Sequence, residues 1–220
     1  VRDGARVQVN PGQSELLAKA RWQMNVSIKR PHLTMPEAEA DWLRTAYADA
    51  AVILEYGSGG STVMGAEMSG KTIFSVESDK VWRDGMRAWF DATPSASPVY
   101  LHHADVGPTG EWGMPVDEKK WRKWHQYPLS VWDRTDFVPP DVVLIDGRFR
   151  TGCYLAVLFR TAKPLTVYFD DYRDRSNYHV IERYGKPVEM RGRMARFDIE
   201  PMAIPVADLD WIIATMTKKH

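Results

Sequence analysis

The chain has little of what a secreted or membrane protein needs. Its one cysteine, Cys153, excludes an internal disulfide and fits a reducing compartment, so the expected location is cytoplasmic. No apolar run approaches the roughly 18 to 20 residues of a membrane span. The opening residues VRDGARVQVN hold no hydrophobic signal segment, and no membrane partner is expected. The chain starts at Val1 rather than Met, so a further upstream segment is expected. Charge of one sign is also missing: 29 Lys and Arg balance 29 Asp and Glu. No global field therefore draws nucleic acid or an anionic surface. Internal repeats and low-complexity tracts are absent. At 220 residues the chain suffices for one sizeable core and is short for two, so residues 1–220 are expected to form a single domain.

What is present is organised around AVILEYGSGGST, Ala51 to Thr62. An apolar run, an acid and three glycines within four positions describe a buried strand, a tight turn and a helix start. Such a turn brings bare backbone N–H groups and the positive end of a helix against a ligand.

Upstream, residues 1–33 show no sustained period and read as an N-terminal arm, with a short helix within PGQSELLAKARW. Thr34 and Glu37 stand in capping-box register, which predicts a helix from about Met35 to Ala48. Downstream, a helix to about Gly70, a strand Thr72 to Val76 closed by Glu77, and a helix capped by Asp79 follow in order. VYLHHAD reads as a third strand ending at Asp105, DVVLIDGRFR as a fourth run out into Asp146, and LTVYFDDYRDR as a fifth ending in Asp170 and Asp171. TGCYLAVLFRTA between the last two reads as a buried helix, SNYHVIERYG as a helix stopped at Gly185, and PVEMRGRMARFDIEP as a closing hairpin turning near Gly192. The last segment is expected to be partly helical. Strands alternating with helices predict an α/β fold, a doubly wound and mostly parallel sheet with a closing antiparallel hairpin.

Residues 106–140 break this alternation. They are rich in Pro and Gly, lack a long apolar period and hold four of the nine tryptophans, Trp112, Trp121, Trp124 and Trp132. A loop region this long in a compact domain is usually functional. The tryptophans are expected to form a lid or wall over an acceptor, or else a face buried by a second copy in a homodimer, a homo-oligomer. The run DEKKWRKWH interleaves basic and aromatic residues but is too short to indicate nucleic-acid binding.

Glu77, Asp105, Asp146 and the pair Asp170 and Asp171 all close strands and would share one sheet edge with the glycine turn. Glu77 lies 20 residues after Gly57, the separation that lets an acid reach a ribose's hydroxyls. Dinucleotides and S-adenosylmethionine both use this layout. The dinucleotide fingerprint needs a further glycine where Thr62 stands, and no Gly-Lys-Ser/Thr follows for a triphosphate loop.

EYGSGGST, with VESDK and LIDGRFR, resembles the class I S-adenosylmethionine-dependent methyltransferases, whose fold is Rossmann-like. Within them it resembles a largely uncharacterised methyltransferase-like subgroup sharing GPTGEWG and DYRDR segments. The likeness runs from about Leu33 to Tyr184. It implies that the turn Glu55, Gly57, Ser58, Gly59, Gly60 and Ser61 holds the amino-acid end of the cofactor. Glu77 with Ser78 would then hold its ribose, Asp105 or its neighbours the adenine, and Asp146 would border the transferred methyl as the catalytic residue. The family's third glycine is replaced here by Ser61.

Methyl transfer needs a positioned nucleophile, excluded water and, for a hydroxyl, a base. Asp146 is the expected base, with His102, His103, His125 and His179 as lesser candidates. Asp146, Asp170 and Asp171 also resemble the acid trio of metal-dependent O-methyltransferases; a divalent metal is considered and not favoured. The expected function is methyl transfer from S-adenosylmethionine to an oxygen of a small-molecule acceptor. The alternatives are a non-catalytic binding or scaffold protein of the same fold and, less favoured, an NAD-dependent oxidoreductase.

Overall fold

Five apolar runs become the strands β1 (Val52–Tyr56), β2 (Thr72–Glu77), β3 (Val99–His103), β4 (Val142–Ile145) and β5 (Leu165–Phe169). The computed structural model describes residues 29–219. The short helix expected within PGQSELLAKARW lies outside them. The helices are α1 (Glu37–Asp49), α2 (Gly60–Glu67), α3 (Lys80–Ala92), the single turn α4 (Gln126–Leu129), α5 (Arg150–Arg160) and α6 (Leu209–Met216). A hairpin of β6 (Glu189–Arg191) and β7 (Met194–Ile199) closes the sheet.

The seven strands lie in the order β3-β2-β1-β4-β5-β7-β6. The pairs among β1 to β5 are parallel, and β7 runs antiparallel to both of its neighbours. The expected fold class is therefore the observed one. Strand order reverses between β1 and β4, whose carboxyl ends sit side by side with Tyr56 opposite Ile145. That reversal opens a crevice, the usual seat of a ligand in such sheets.

Because side chains alternate along a strand, each strand feeds two cores. On one face Ile53, Ile73, Val142 and Leu144 pack under Trp42, Leu43 and Tyr47 of α1. On the other, Leu54, Tyr56, Val76, Val143 and Phe169 pack under α5 and under Trp124, Tyr127, Val131 and Trp132. The segment 106–140 is thus the β3-to-β4 crossover, made of short 3₁₀ turns and α4 in place of one long helix. Its bulky rings supply the apolar area that a helix face would have supplied. Their polar tips are met: Trp132 Nε1 donates to Tyr56 Oη at 2.8 Å, Tyr56 Oη to Pro128 O at 2.6 Å, and Trp124 Nε1 to Val106 O at 3.2 Å.

Two local expectations need correction. No capping box forms at Thr34: Pro36 is the N-cap of α1 and no side chain caps it, because Thr34 belongs to an extended lead-in two positions earlier. The segment at Ser176–Arg183 is helical as expected, in 3₁₀ form. The four tryptophans do not share one surface, since Trp124 and Trp132 are core while Trp112 and Trp121 are exposed. The cap at Asp79 forms as expected, accepting from Trp82 N at 2.9 Å. Among the described residues no helix is long and apolar enough to cross a membrane.

Candidate functional site

The carboxyl ends of β1, β2 and β4 open into a cavity of about 730 Å³. Gly57, Ser58, Gly59, Gly60 and Ser61 line it, as do Glu77, Ser78 and Asp146. The fold thus gathers eight of the ten expected site residues at one place.

The three glycines of the turn serve different purposes. Gly57 has φ +104°, and a Cβ there would come within 2.9 Å of Gly147 Cα; the two strand-end loops touch main chain to main chain. A Cβ on Gly60 would lie 2.2 Å from Leu33 N, because the lead-in Pro31 to Met35 crosses the turn there and lines the cavity. Only Gly59 has open space around its would-be Cβ, which makes it the point where a ligand can approach the backbone. The first amides of α2 are beyond reach of any intrahelical carbonyl. They place the helix's positive end at the cavity. Thr62 stands where a dinucleotide fold has glycine; its Oγ1 accepts from Gly59 N at 2.9 Å and donates to Glu55.

Two expected contacts are not made. Glu55 is fully buried below the turn, not within it, and does not line the cavity. It accepts from Tyr47 Oη at 2.7 Å and from Ser75 Oγ at 3.2 Å, so it braces α1, α2 and β2 together. Burial raises its pKa, and the hydroxyl donors oppose that rise. Asp105 is half exposed, is paired with Lys123 and accepts from Gly107 N at 3.0 Å. It does not line the cavity, because β3 ends at His103 and the chain turns outward two residues before it could reach inward.

The wall at the Glu77 end is mostly main chain. Glu77 Oε1 accepts from Ser78 N at 2.7 Å and Asp79 N at 2.8 Å, while Oε2 has a single long contact, Ser58 N at 3.4 Å. Burial raises its pKa against these N–H donors, which lower it. Gly113 presses on Glu77 and Ser78, and Ser78 Oγ donates to Gly113 O at 2.8 Å. GPTGEWG is therefore a wall of this end. Of the four tryptophans of the crossover, only Trp112 lines the cavity, on a left-handed backbone with φ 57°. Trp82, not expected at the site, lines it and donates to Ser58 O at 2.7 Å, tying the turn to α3.

At the opposite end Asp146 meets Asp170 and Asp171; carboxylate oxygens of the three lie within 4.8 Å of one another. Arginines hold them. Arg193 grips fully buried Asp170 at 2.7 and 3.0 Å, Arg175 reaches Asp171 at 2.8 Å, and buried Arg150 spans Asp171 at 3.3 Å and Asp146 at 3.1 Å. A divalent cation needs these same oxygens, and bound guanidinium groups both occupy them and repel it. The trio does not fit a metal. Asp146 has its pKa raised to about 7 by burial, reinforced by Asp170 and Asp171 and opposed by Arg150. A carboxylate near neutrality on a cavity wall suits proton abstraction.

None of the four expected histidines lines the cavity. His102 contacts Ser130 Oγ at 2.7 Å and has its pKa lowered to about 4 by burial and then Arg134. His103 and His179 contact carbonyl oxygens of Ser78 and Tyr172. The histidine at the site is His32, on the lead-in. Two of the three arginines had a sequence signal: Arg150 sits four residues after Asp146, and Arg175 four after Asp171, the spacing that pairs side chains across a helical turn, whereas Arg193 had none.

No family model and no curated protein matches the chain. Among solved structures, a methyltransferase-like protein from Silicibacter pomeroyi DSS-3 is 52% identical, with a TM-score of 0.83, covering 86% of this chain and 98% of that one. The cofactor-bound protein Rv0187 of MTB has 15% identity and a TM-score of 0.52, over 88% of this chain and 92% of that one; at that identity it supports the fold alone.

Proposed function

The chain belongs to the methyltransferase-like proteins of the class I S-adenosylmethionine-dependent superfamily, and on that premise we propose that it transfers a methyl group from S-adenosylmethionine to an oxygen of a small molecule. The observation that carries this reading is one cavity with Glu77 at one end and Asp146, its pKa near 7, at the other. Glu77 Oε2, with one long N–H contact, has lone pairs left for ribose hydroxyls. Open space at Gly59 and the first amides of α2 suit the amino-acid end of the cofactor. Such a donor would supply an electrophilic methyl on a sulfonium: the acceptor oxygen would take the methyl in line as the C–S bond breaks and the neutral thioether, S-adenosylhomocysteine, leaves.

The chain's own residues then have three tasks. The glycine turn, braced by Glu55 and Trp82, fixes where the donor sits. The lead-in Pro31 to Met35 and the wall Thr109 to Gly113 cover the cavity and exclude water. Asp146 takes the proton from the acceptor's hydroxyl onto its carboxylate, and Arg150 at 3.1 Å holds that carboxylate in place. An NAD-dependent reading loses its basis in the family membership, and in Thr62 filling the position that a dinucleotide's close packing requires.

Calorimetric titration with S-adenosylhomocysteine tests the reading. Binding is expected in the wild type and should weaken by about tenfold in Glu77→Gln, roughly the effect of losing one charge-assisted hydrogen bond. Absence of heat in the wild type would sink it.

A further inference from the structure

Arg148 is the one arginine around Asp146 with no acid to hold. Arg150, Arg175 and Arg193 are each paired with Asp146, Asp170 or Asp171. Among the described residues no hydrogen bond or ion pair uses the Arg148 guanidinium, and its Nε is buried without a partner. Buried polar groups are nearly always satisfied, so an orphan of this kind asks for an explanation. Arg148 lines the cavity. Its main chain is pinned: its N–H donates to Tyr127 Oη at 3.3 Å and its carbonyl accepts from Cys153 Sγ at 3.4 Å. The side chain is therefore presented by a fixed loop.

We propose that Arg148 anchors an anionic group, a carboxylate or a phosphate, on the methyl acceptor. This rests on the methyltransferase reading of the cavity. Arg148 follows Asp146 by two residues at the end of β4 and lines the same cavity, so an acceptor gripped there shares that cavity with the carboxylate that would take its proton. A planar guanidinium fork matches both kinds of oxyanion, and burial strengthens the pairing. The surroundings favour an incoming anion: burial and the positive Arg150 both work against the Arg148 charge and lower its pKa. The carboxylate of the cofactor is the competing partner, but the helix amides and the open space at Gly59 lie on the glycine turn.

The test uses the whole protein saturated with S-adenosylhomocysteine, titrated with benzoate, phenyl phosphate and the neutral isostere benzamide, and followed by the ¹⁵N-detected arginine Nε–H signals. Benzoate or phenyl phosphate is expected to bind more tightly than benzamide and to shift the Arg148 signal. Whichever of the two binds more tightly identifies the oxyanion. Arg148→Gln should weaken that binding by about tenfold or more, with Arg148→Lys intermediate. Both variants should keep S-adenosylhomocysteine affinity, which also shows that they are folded. Equal binding of benzoate, phenyl phosphate and benzamide, or anion binding unchanged in Arg148→Gln, overturns the proposal. So does a loss in Arg148→Gln of affinity for S-adenosylmethionine but not for its decarboxylated analogue, because the guanidinium would then serve the cofactor. If the wild type fails to bind S-adenosylhomocysteine at all, the proposed function falls and this inference falls with it.

Discussion

At the Glu77 end of the cavity the wall is mostly main chain: the Gly113 carbonyl that accepts from Ser78 Oγ, and a carboxylate whose Oε1 is held by two consecutive N–H groups. At the Asp146 end the carboxylate on the wall is set by side chains: Asp146 lines the cavity, and behind it Asp170 and Asp171 are cross-linked with it by Arg150 at the start of α5 and by Arg175 and Arg193 from separate loops. Main chain presents the same donors whatever side chains evolve around it, so the first end suits an invariant ligand. Paired side chains set charge and proton affinity one substitution at a time, so the second suits a ligand that differs between relatives. The two ends also differ in strain. Among the described residues three non-glycine positions have left-handed backbone, Phe149 and Asp171 near the side-chain end and Trp112 at the other, at a cost of order 1–3 kcal/mol each.

The largest effect is expected at the side-chain end. Asp146→Asn should lower turnover by about 10²–10⁴-fold while leaving S-adenosylhomocysteine binding intact, measured with an acceptor found by screening metabolites against labelled methyl donor. Wild-type turnover should rise with pH and level off above about pH 7, as Asp146 gives up its proton. The sign for stability is the reverse. A carboxyl whose folded pKa lies above its unfolded value binds more protons when folded, so it stabilises at low pH and that contribution is lost as pH rises from about 4 to about 7. The side chain is 30% exposed, which screens part of the cost, so Asp146→Asn should gain about 1–2 kcal/mol over wild type at pH 8 and nothing at pH 3. Denaturant melts at the two pH values check this.

Next in size, Arg193→Met strips Asp170, which is fully buried, of its bidentate partner. A loss of about 3–5 kcal/mol is expected, as for other broken buried pairs. The pH profile of turnover should also move upward, since Arg193 helps keep Asp146 ionised. Stability lost with an unmoved profile would show that Arg193 is structural only.

A contrast within the crossover completes the series. Trp124→Ala removes a side chain that is 5% exposed and should cost about 3–5 kcal/mol. Trp112→Ala removes one that is 78% exposed and should stay within about 0.5 kcal/mol, its effect appearing instead in ligand affinity. Equal thermal shifts for the two would mean that the crossover is not divided into core and wall.

Much of this was legible before any coordinates. Apolar runs of five or six residues ending in Glu77, Asp146 and Asp170 foretold which residues meet at the sheet edge, because a parallel sheet brings all its strand ends to one side. The tryptophan-rich crossover was legible only as an anomaly. Which of its rings are core depends on what lies opposite them, and nothing in GPTGEWG or in DEKKWRKWH states that. Asp105 misled because strand-end position alone cannot tell an inward turn from an outward one.

The sequence by itself determined the strand order's raw material, the glycine turn and the acids around it. These follow from periodicity and from backbone freedom, which act within a few residues. Tertiary structure alone decided that Glu55 braces the turn from beneath, that Leu33 lies across Gly60, that arginines from α5 and two loops neutralise the acid trio, and that Arg148 is left over. Each of those facts rests on a contact between residues 20 to 27 positions apart or on the absence of one, and burial and Coulomb energy depend on separation in space, which no local pattern records.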